Sequence, residues 1–410
     1  MPAAPDVAVT GLGLITPAGL TVEDNWATLC AGRSLATRDR ALAGLPVDFT
    51  CRAPAFDAAA ELGRARAFRL DRAAHLALLA ARAAVADAGL DPRAWPGERV
   101  GVVLGTGGNS LDTYPTEFGH LNAGRHSRIS PLALPRSIAS TPAGEVAIDL
   151  RALGPSFATA SSCASAATAI GIARDLLRSG TCDIVLTGGS AAPRDAMSVL
   201  SFTRMKALSR RAERPEEACR PFDADRDGFV LGEGAAVLVM ERVDDARARR
   251  ARAWALLRGY GSTCDAHHPL APLPDGAGAA RAVRTALDDA GAAPEDIGHI
   301  NAHGTATRLG DEAEGAALVR EFGDCPPPVT AAKGVVGHSL SAAGALEAAY
   351  TILSLHHQRI PPTANFRHQD DAQPKLDIVA GAPRPTAMRA ALSSSFGFGG
   401  HNAVLLFTTP

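Results

Sequence analysis

Lysine is almost absent from this chain: among 41 cationic side chains only Lys206, Lys333 and Lys375 are lysines, the rest being arginine. Cysteine is sparse as well, seven in 410 residues with no CxxC pair, which excludes a disulfide framework and a zinc knuckle. Neither sign of charge dominates. Lys+Arg 41 against Asp+Glu 43 leaves a net charge of −2, so no whole-chain basic field for nucleic acid exists. An uninterrupted apolar run of about 20 residues, the length that spans a bilayer, is missing. The opening MPAAPDVAV has neither a basic nor an apolar leader segment, so a reducing cytoplasm is the expected home. At 42.2 kDa and 46% hydrophobic residues, the chain has ample core for two or three domain-sized units.

Short apolar runs with glycine at or near their ends recur: VAVTGLG (7–13), VGVVLGTGG (100–108), DIVLTGGS (183–190) and INAHGT (300–305), and a further apolar run, AVLLF (403–407), lacks the glycine. Between them, segments 72–88, 164–179 and 277–290 carry helical periodicity. The alternation predicts an α/β layered fold with central strands covered on both faces. The charged stretch ERVDDARARRAR (241–252) precedes a fresh strand-like segment, AWALLRGYGS (253–262). That break divides the chain into halves 1–250 and 251–410. PLAPLPDG (269–276) and CPPP (325–328) read as loops.

Three apparent motifs fail on inspection. GLGLIT (11–16) has Thr16 where a dinucleotide loop needs its third glycine. DADRDG (223–228) begins like a calcium loop, but position 12 is Gly234, with Glu233 one residue early. The adjacent pairs His267–His268 and His356–His357 share no helical or strand face and read as surface.

Cys163 lies in TASSCASAATAIG, between a strand-like segment and a helical one. At such a turn the positive end of the helix dipole favours a thiolate, and small neighbours leave the sulfur accessible. A buried structural cysteine fits the local sequence equally well. His303, after the strand-like HINA, and His338, after a short strand-like segment and before an alanine-rich helix, each stand beside glycine where a side chain can line a cleft. With Lys333 five residues earlier, they supply a nucleophile with neutral and cationic hydrogen-bond donors. That set suits chemistry on a thioester, whose oxygen gains charge in the transition state. SSSFGFGGHNAVLLF (393–407) is expected to be a flexible loop leading into a strand, with a β-hairpin turn as the alternative.

SSCASAATAIG, RPFDADRDGFVLGEGA (220–235), NAHGTATRLGDEAE (301–314), KGVVGHSLSAAGALEA (333–348) and SFGFGGHN (395–402) resemble the chain-elongating β-ketoacyl-acyl-carrier-protein synthases, in the family's order and over nearly the whole chain. The resemblance implies a thiolase fold: two duplicated α/β halves in a five-layered αβαβα core, usually dimeric. It also implies a decarboxylative condensation in which Cys163 carries the acyl chain and His303 and His338 bind the malonyl thioester carbonyl. The backbone N–H groups of Cys163 and Phe398 would form the oxyanion hole, and Lys333 would order a network with Glu314 and Asp311. Phe202, Phe229, Phe396 and Phe398 correspond to gating or acyl-pocket aromatics, and Thr305 and Thr307 to contacts of the carrier's phosphopantetheine arm. No cofactor or catalytic metal is implied, though Asn301, Ala302 and Glu347 fall where some members hold a monovalent cation.

Departures sharpen the expectation. Ser393-Ser394-Ser395 replaces the usual Ser-Asn-Ser, Ser162 replaces an alanine, and Gly310 falls where some relatives carry asparagine. Gly108 and Ala133 are small where bulky residues line the acyl pocket and dimer interface. A roomier tunnel, a long or unsaturated acyl chain and polyketide-type service beside a chain-length-factor-like partner are therefore favoured over a fatty-acid homodimer. Arg64, Arg66, Arg69 and Arg72, expected on one helix, with Arg125, Arg128, Arg204 and Lys206, resemble a docking face for an acidic acyl carrier protein. A solvated helix face is the plain alternative. A thiolase would need a second cysteine near the C-terminus, which SFGFGGHN lacks, and a non-catalytic chain-length subunit would lack Cys163. A cysteine protease leaves Lys333 and one histidine unexplained.

Overall fold

The computed structural model describes residues 5–107, 111 and 113–410. Its ten principal strands are β1 (Val7–Ile15), β2 (Val100–Gly105), β3 (Ser156–Thr159), β4 (Ile184–Ala191), β5 (Gly234–Arg242), β6 (Ala255–Cys264), β7 (Ile297–Asn301), β8 (Val329–Thr330), β9 (Ala390–Gly397) and β10 (His401–Thr408). They run in the order β8-β7-β9-β10-β6-β1-β5-β4-β2-β3. The join between β6 and β1 is short, with Val7, Ala8 and Val9 facing Leu257, Leu256 and Ala255.

Outward from that join the two sides are the same sheet built twice. Each half's first strand pairs antiparallel with its fifth, and the fifth antiparallel with its fourth. The fourth then pairs parallel with the second, and the second parallel with the third. The duplication is therefore one of topology as well as composition.

Five helices position the site: α1 (Arg72–Asp87), α2 (Ser165–Arg178), α3 (Ala277–Ala290), α4 (Arg308–Phe322) and α5 (Ala343–His357). Residues 343–355 of α5 are buried all round, which only a central layer allows. With α2 it packs against Val7 and Leu12 of β1 and Leu405 and Phe407 of β10 in one core. A second core joins α1 to β2, β4 and β5, and a third joins α3 and α4 to β7, β9 and β10. The layers thus alternate helix, sheet, helix, sheet, helix. This is the thiolase-type αβαβα arrangement.

GLG in β1 serves packing. A Cβ on Gly11 would lie 2.2 Å from the Ala84 carbonyl oxygen, and one on Gly13 1.9 Å from that of Ala80, both in α1. Gly259 and Gly261 of β6 meet α3 in the same way, 2.1 Å from the Ala286 oxygen and 1.9 Å from that of Ala282. The glycine pair lets a helix lie directly on the first strand of each half. Among the described residues no helix is long and apolar enough to cross a membrane.

Candidate active site

The nucleophile turn follows β3. Ser162 adopts a left-handed backbone (φ 52°), uncommon for a residue with a Cβ, and a short 3-10 turn, Ser162–Ala164, leads into α2. Hydrogen bonds hold the turn: Ser165 Oγ accepts the Ser161 N–H at 2.9 Å and donates to the Ser162 carbonyl at 2.6 Å. Thr159 Oγ1 donates to the Ser165 carbonyl at 2.8 Å. Cys163, half-buried, is left with its sulfur toward a cavity of about 620 Å³.

Two histidines close on that sulfur. His338 Nε2 lies 3.2 Å from Cys163 Sγ. Cys163 Sγ and one nitrogen of each of His303 and His338 lie within 4.8 Å of one another. Both histidines are buried, and burial together with the Lys333 ammonium holds each ring well below the usual imidazole range. They are neutral at physiological pH. Lys333 Nζ stands 3.1 Å from His303 Nδ1, and an ammonium can only donate, so His303 carries its ring proton on Nε2.

Lys333 also donates to the His303 carbonyl and pairs with Glu347 Oε1, both residues being almost fully buried. Glu347 is thus the direct partner of Lys333, while Glu314 joins the same network through the backbone of His303. Glu314 accepts the N–H groups of His303 (2.8 Å) and Gly304 (2.7 Å), and so fixes the loop that bears His303. Asp311 does the same for Phe222 (2.7 Å) and Ala306 (3.1 Å). Burial pushes Glu314 up to about 8, Asp311 to about 6 and Glu347 to about 7.

The segment 393–400 is not a loop. Ser393–Gly397 belong to β9, and Phe398–Gly400 turn the chain into β10. A Cβ on Gly397 would lie 2.9 Å from Cys163 N and 2.8 Å from the Ser161 oxygen, so glycine lets the hairpin reach the nucleophile turn. The backbone N–H groups of Phe398 and Cys163 both pull the Cys163 thiol downward, so both face its sulfur. Two amides thus converge where a tetrahedral oxygen would form. Phe202 meets Phe229 edge-on at 5.4 Å and Phe398 at 6.3 Å, Phe229 meets His338 at 5.1 Å, and Phe396 meets His303 at 5.9 Å. All four phenylalanines line the cavity with Thr305 and Thr307, whose hydroxyls lie 2.9 Å apart.

The helix dipole does not leave a preformed thiolate. Burial pushes Cys163 up to about 11, against the lowering pull of Lys333. Its alkylation by iodoacetamide is therefore expected to rise about tenfold per pH unit between pH 7 and 9. Intact-mass kinetics measure this, and a rate flat above pH 7 would mean a thiolate already formed.

Other expectations also require correction. Residues 333–336 form one helical turn rather than a strand. Segment 61–72 is not one helix, since Ala58–Leu62, Arg64–Arg69 and α1 are separate and Asp71 caps α1 by accepting the Ala74 N–H. Arg66 pairs with Asp149 and Glu145, Arg69 with Glu145 at 2.7 Å, and Arg72 with the buried Glu233 at 3.1 Å. Charge reversal at Arg66 or Arg69 would break these internal pairs, so it does not isolate carrier binding. Arg64, Arg125, Arg128 and Arg204 are exposed but line no part of the cavity, whereas Lys206 does. Ala133 is buried in helix Ala133–Ser137, away from the cavity walls, and Gly108 lies outside the described residues. Sequence reasoning missed Leu270, Leu273, Arg308 and Leu309 as lining residues, although PLAPLPDG was visible as a loop.

Two cation readings can be weighed. A cysteine with two histidines is a donor set suited to zinc, yet a fixed ammonium on His303 Nδ1 opposes a dication there. The second lies behind Lys333, where Asn301 Oδ1, Glu347 Oε2 and the Ser393 and Ser394 hydroxyls are buried without hydrogen-bond partners. Ser393 pairs with Asn301 across β9 and β7, and Asn301 Nδ2 donates to the Glu347 carbonyl at 3.0 Å. These orphaned oxygens fit a monovalent cation.

The chain matches the family model of the β-ketoacyl synthase N-terminal domain over residues 4–246 and that of the C-terminal domain over 254–367. It is 40% identical over 408 residues to the 3-oxoacyl-[acyl-carrier-protein] synthase 2 of Synechocystis sp., covering 98% of this chain and 97% of that one. The solved ishigamide ketosynthase/chain length factor is 36% identical with a TM-score of 0.93, covering 100% of both chains. A type II polyketide ketosynthase solved with its acyl-carrier protein and a hexaketide, AntDE:AntF, is 29% identical with a TM-score of 0.89, again over 100% of both.

Proposed function

The chain belongs to the β-ketoacyl synthase family, and from that premise we propose how its site elongates an acyl chain by condensation. Cys163 attacks an acyl thioester, the thiol proton leaves, and the arm's sulfur departs with that proton as a thiol. His303 Nε2–H and His338 then donate to the carbonyl of a malonyl thioester. Its C–CO₂ bond breaks, carbon dioxide leaves, and the electron pair remains as an enolate held by two neutral donors. The enolate carbon attacks the Cys163-bound carbonyl, whose oxygen takes the Cys163 and Phe398 N–H groups, and collapse expels the cysteine sulfur. The carrying observation is the convergence of two backbone amides and two uncharged histidines on one sulfur. Neutral histidines suit the task because they stabilise negative charge without spending a proton.

Lys333 fixes the His303 tautomer, and Glu314 and Asp311 fix the loop that bears it. Asn301, Glu347 and the Ser393 and Ser394 hydroxyls would hold a monovalent cation, which would supply fixed charge behind Lys333. The acyl groups arrive on the phosphopantetheine of an acidic acyl carrier protein, and the protein works in the cytoplasm.

We also assign a second ketosynthase-type chain as partner. β3 ends the sheet, and Ile148 on the helix packed against it and Leu153 just before it in the chain are exposed, as are Phe118, Leu134 and Ile138. An apolar face beside an open sheet edge favours association. Self-association would give a homodimer, and a chain-length-factor-like partner a heterodimer of the polyketide type. The protein is therefore expected to acylate and extend unsaturated or long carrier-bound chains only with that partner. Intact-mass assays on a ladder of acyl carriers, with and without candidate partners, decide this. Extension of saturated medium chains by the lone protein would instead assign a fatty-acid homodimer.

A further inference from the structure

The mouth of the cavity is chemically unlike its floor. Deep in the site the Lys333 ammonium is spent on Glu347 and His303. At the rim stand Lys206, Arg308 and His268, exposed among the apolar Met205, Leu270 and Leu309. No side-chain partner engages Lys206 or Arg308 among the described residues. The two carboxylates beside them are already committed. Asp227 pairs with Arg211 and accepts the Arg210 N–H at 3.3 Å, while Asp265 accepts Asn402 Nδ2 at 2.7 Å and the Leu273 N–H at 3.0 Å.

His268 adds a directed donor. Its Nδ1 accepts the N–H groups of Leu270 and Ala271, each at 3.0 Å, so the neutral ring holds its proton on Nε2. The backbones of the two cations are fixed as well. Lys206, left-handed at φ 58°, closes helix Ala196–Arg204 with its N–H on the Thr203 carbonyl, and Arg308 opens α4 behind the Thr307 cap. A guanidinium fork, an ammonium and an imidazole N–H around one opening are the donors that recognise a phosphate.

We propose that Lys206, Arg308 and His268 form a collar that binds the phosphate of a phosphopantetheine arm while its thioester reaches Cys163. The proposal rests on the ketosynthase reading, and it separates phosphate recognition from recognition of the carrier protein itself. Charge at the rim and none free at the floor also sets direction: the anionic end stays at the mouth and the neutral end enters. Free phosphopantetheine thioesters are then substrates in their own right, and phosphate-free ones are handicapped.

The test compares Cys163 acylation by octanoyl-4′-phosphopantetheine and by octanoyl-pantetheine, followed by intact mass over a concentration series. The half-saturating concentration is expected to be roughly tenfold lower with the phosphate, the size of a charge-assisted contact. That preference should collapse toward unity in the Lys206→Ala/Arg308→Ala protein and shrink in high salt. Equal half-saturation in the unaltered protein, or a preference that survives the double substitution, would overturn the collar. A second readout is independent of chemistry: in Cys163→Ala protein, the ³¹P resonance of phosphopantetheine should broaden, and lose that broadening when Lys206 and Arg308 are also alanine. Broadening without acylation of the intact nucleophile would uphold the collar and refute the ketosynthase reading. An unbroadened line would refute the collar.

Discussion

His303→Ala is expected to leave acylation of Cys163 within a few-fold of the unaltered protein while lowering condensation by about 10²–10³-fold. The asymmetry follows from geometry. His303 is tied through Nδ1 to Lys333, which leaves one proton, on Nε2, as its contribution to the cavity. Acylation uses the sulfur and the two amides and does not draw on that proton. Decarboxylation does, because charge moves onto the malonyl oxygen as carbon dioxide leaves. His338→Ala should impair both steps, since its Nε2 is also the 3.2 Å neighbour of the sulfur. Single-turnover intact mass separates the steps, reading the acyl adduct first and its consumption after malonyl thioester is added. Equal losses in both steps for His303→Ala would remove its assigned role.

Lys333→Ala should be the most damaging substitution to stability, costing about 3–5 kcal/mol, the usual consequence of leaving half of a buried ion pair. Glu347 Oε1 would lose its partner, and Oε2 has none among the described residues. The loss is pH-dependent, and its sign is fixed. Burial already raises Glu347 to about 7, and Lys333 is the group that lowers it, so removing Lys333 raises it further. An acid whose folded pKa is raised loses stability as pH rises through that value. The variant should therefore approach the unaltered protein near pH 5 and fall furthest behind above pH 7. Denaturant midpoints at the two pH values measure this, and a Lys333→Met/Glu347→Gln protein should regain much of the stability without regaining condensation. A pH-independent deficit would mean that the pair is not the source.

The strands and the nucleophile turn were legible because glycine-ended apolar runs have few other uses, and because small residues around Cys163 permit the tight turn that exposes the sulfur. Fold duplication was visible only as a composition break, but the two glycine pairs, Gly11/Gly13 and Gly259/Gly261, carry it in the sequence as well. What stayed hidden depended on contacts across the fold. Glu347 sits one helix beyond Lys333, and nothing local distinguishes it from Glu314 or Asp311 as the partner. Arg66, Arg69 and Arg72 look like a free patch until Glu145, Asp149 and Glu233 arrive from distant segments to neutralise them. Ser393–Gly397 reads as a loop because small residues make poor isolated strands; pairing with β7 on one side and β10 on the other makes it one.

The central claim is that one sulfur carries the acyl chain while two neutral histidines generate the nucleophile that attacks it. The most direct measurement supplies the Cys163-acylated protein with malonyl carrier labelled in its free carboxylate, and follows the adduct mass and the released label together. The account predicts that the adduct disappears as one labelled carbon dioxide is released per two-carbon extension, and that Cys163→Ala gives no extension. An adduct that persists beside labelled malonyl carrier, or extension that survives the loss of Cys163, would contradict it.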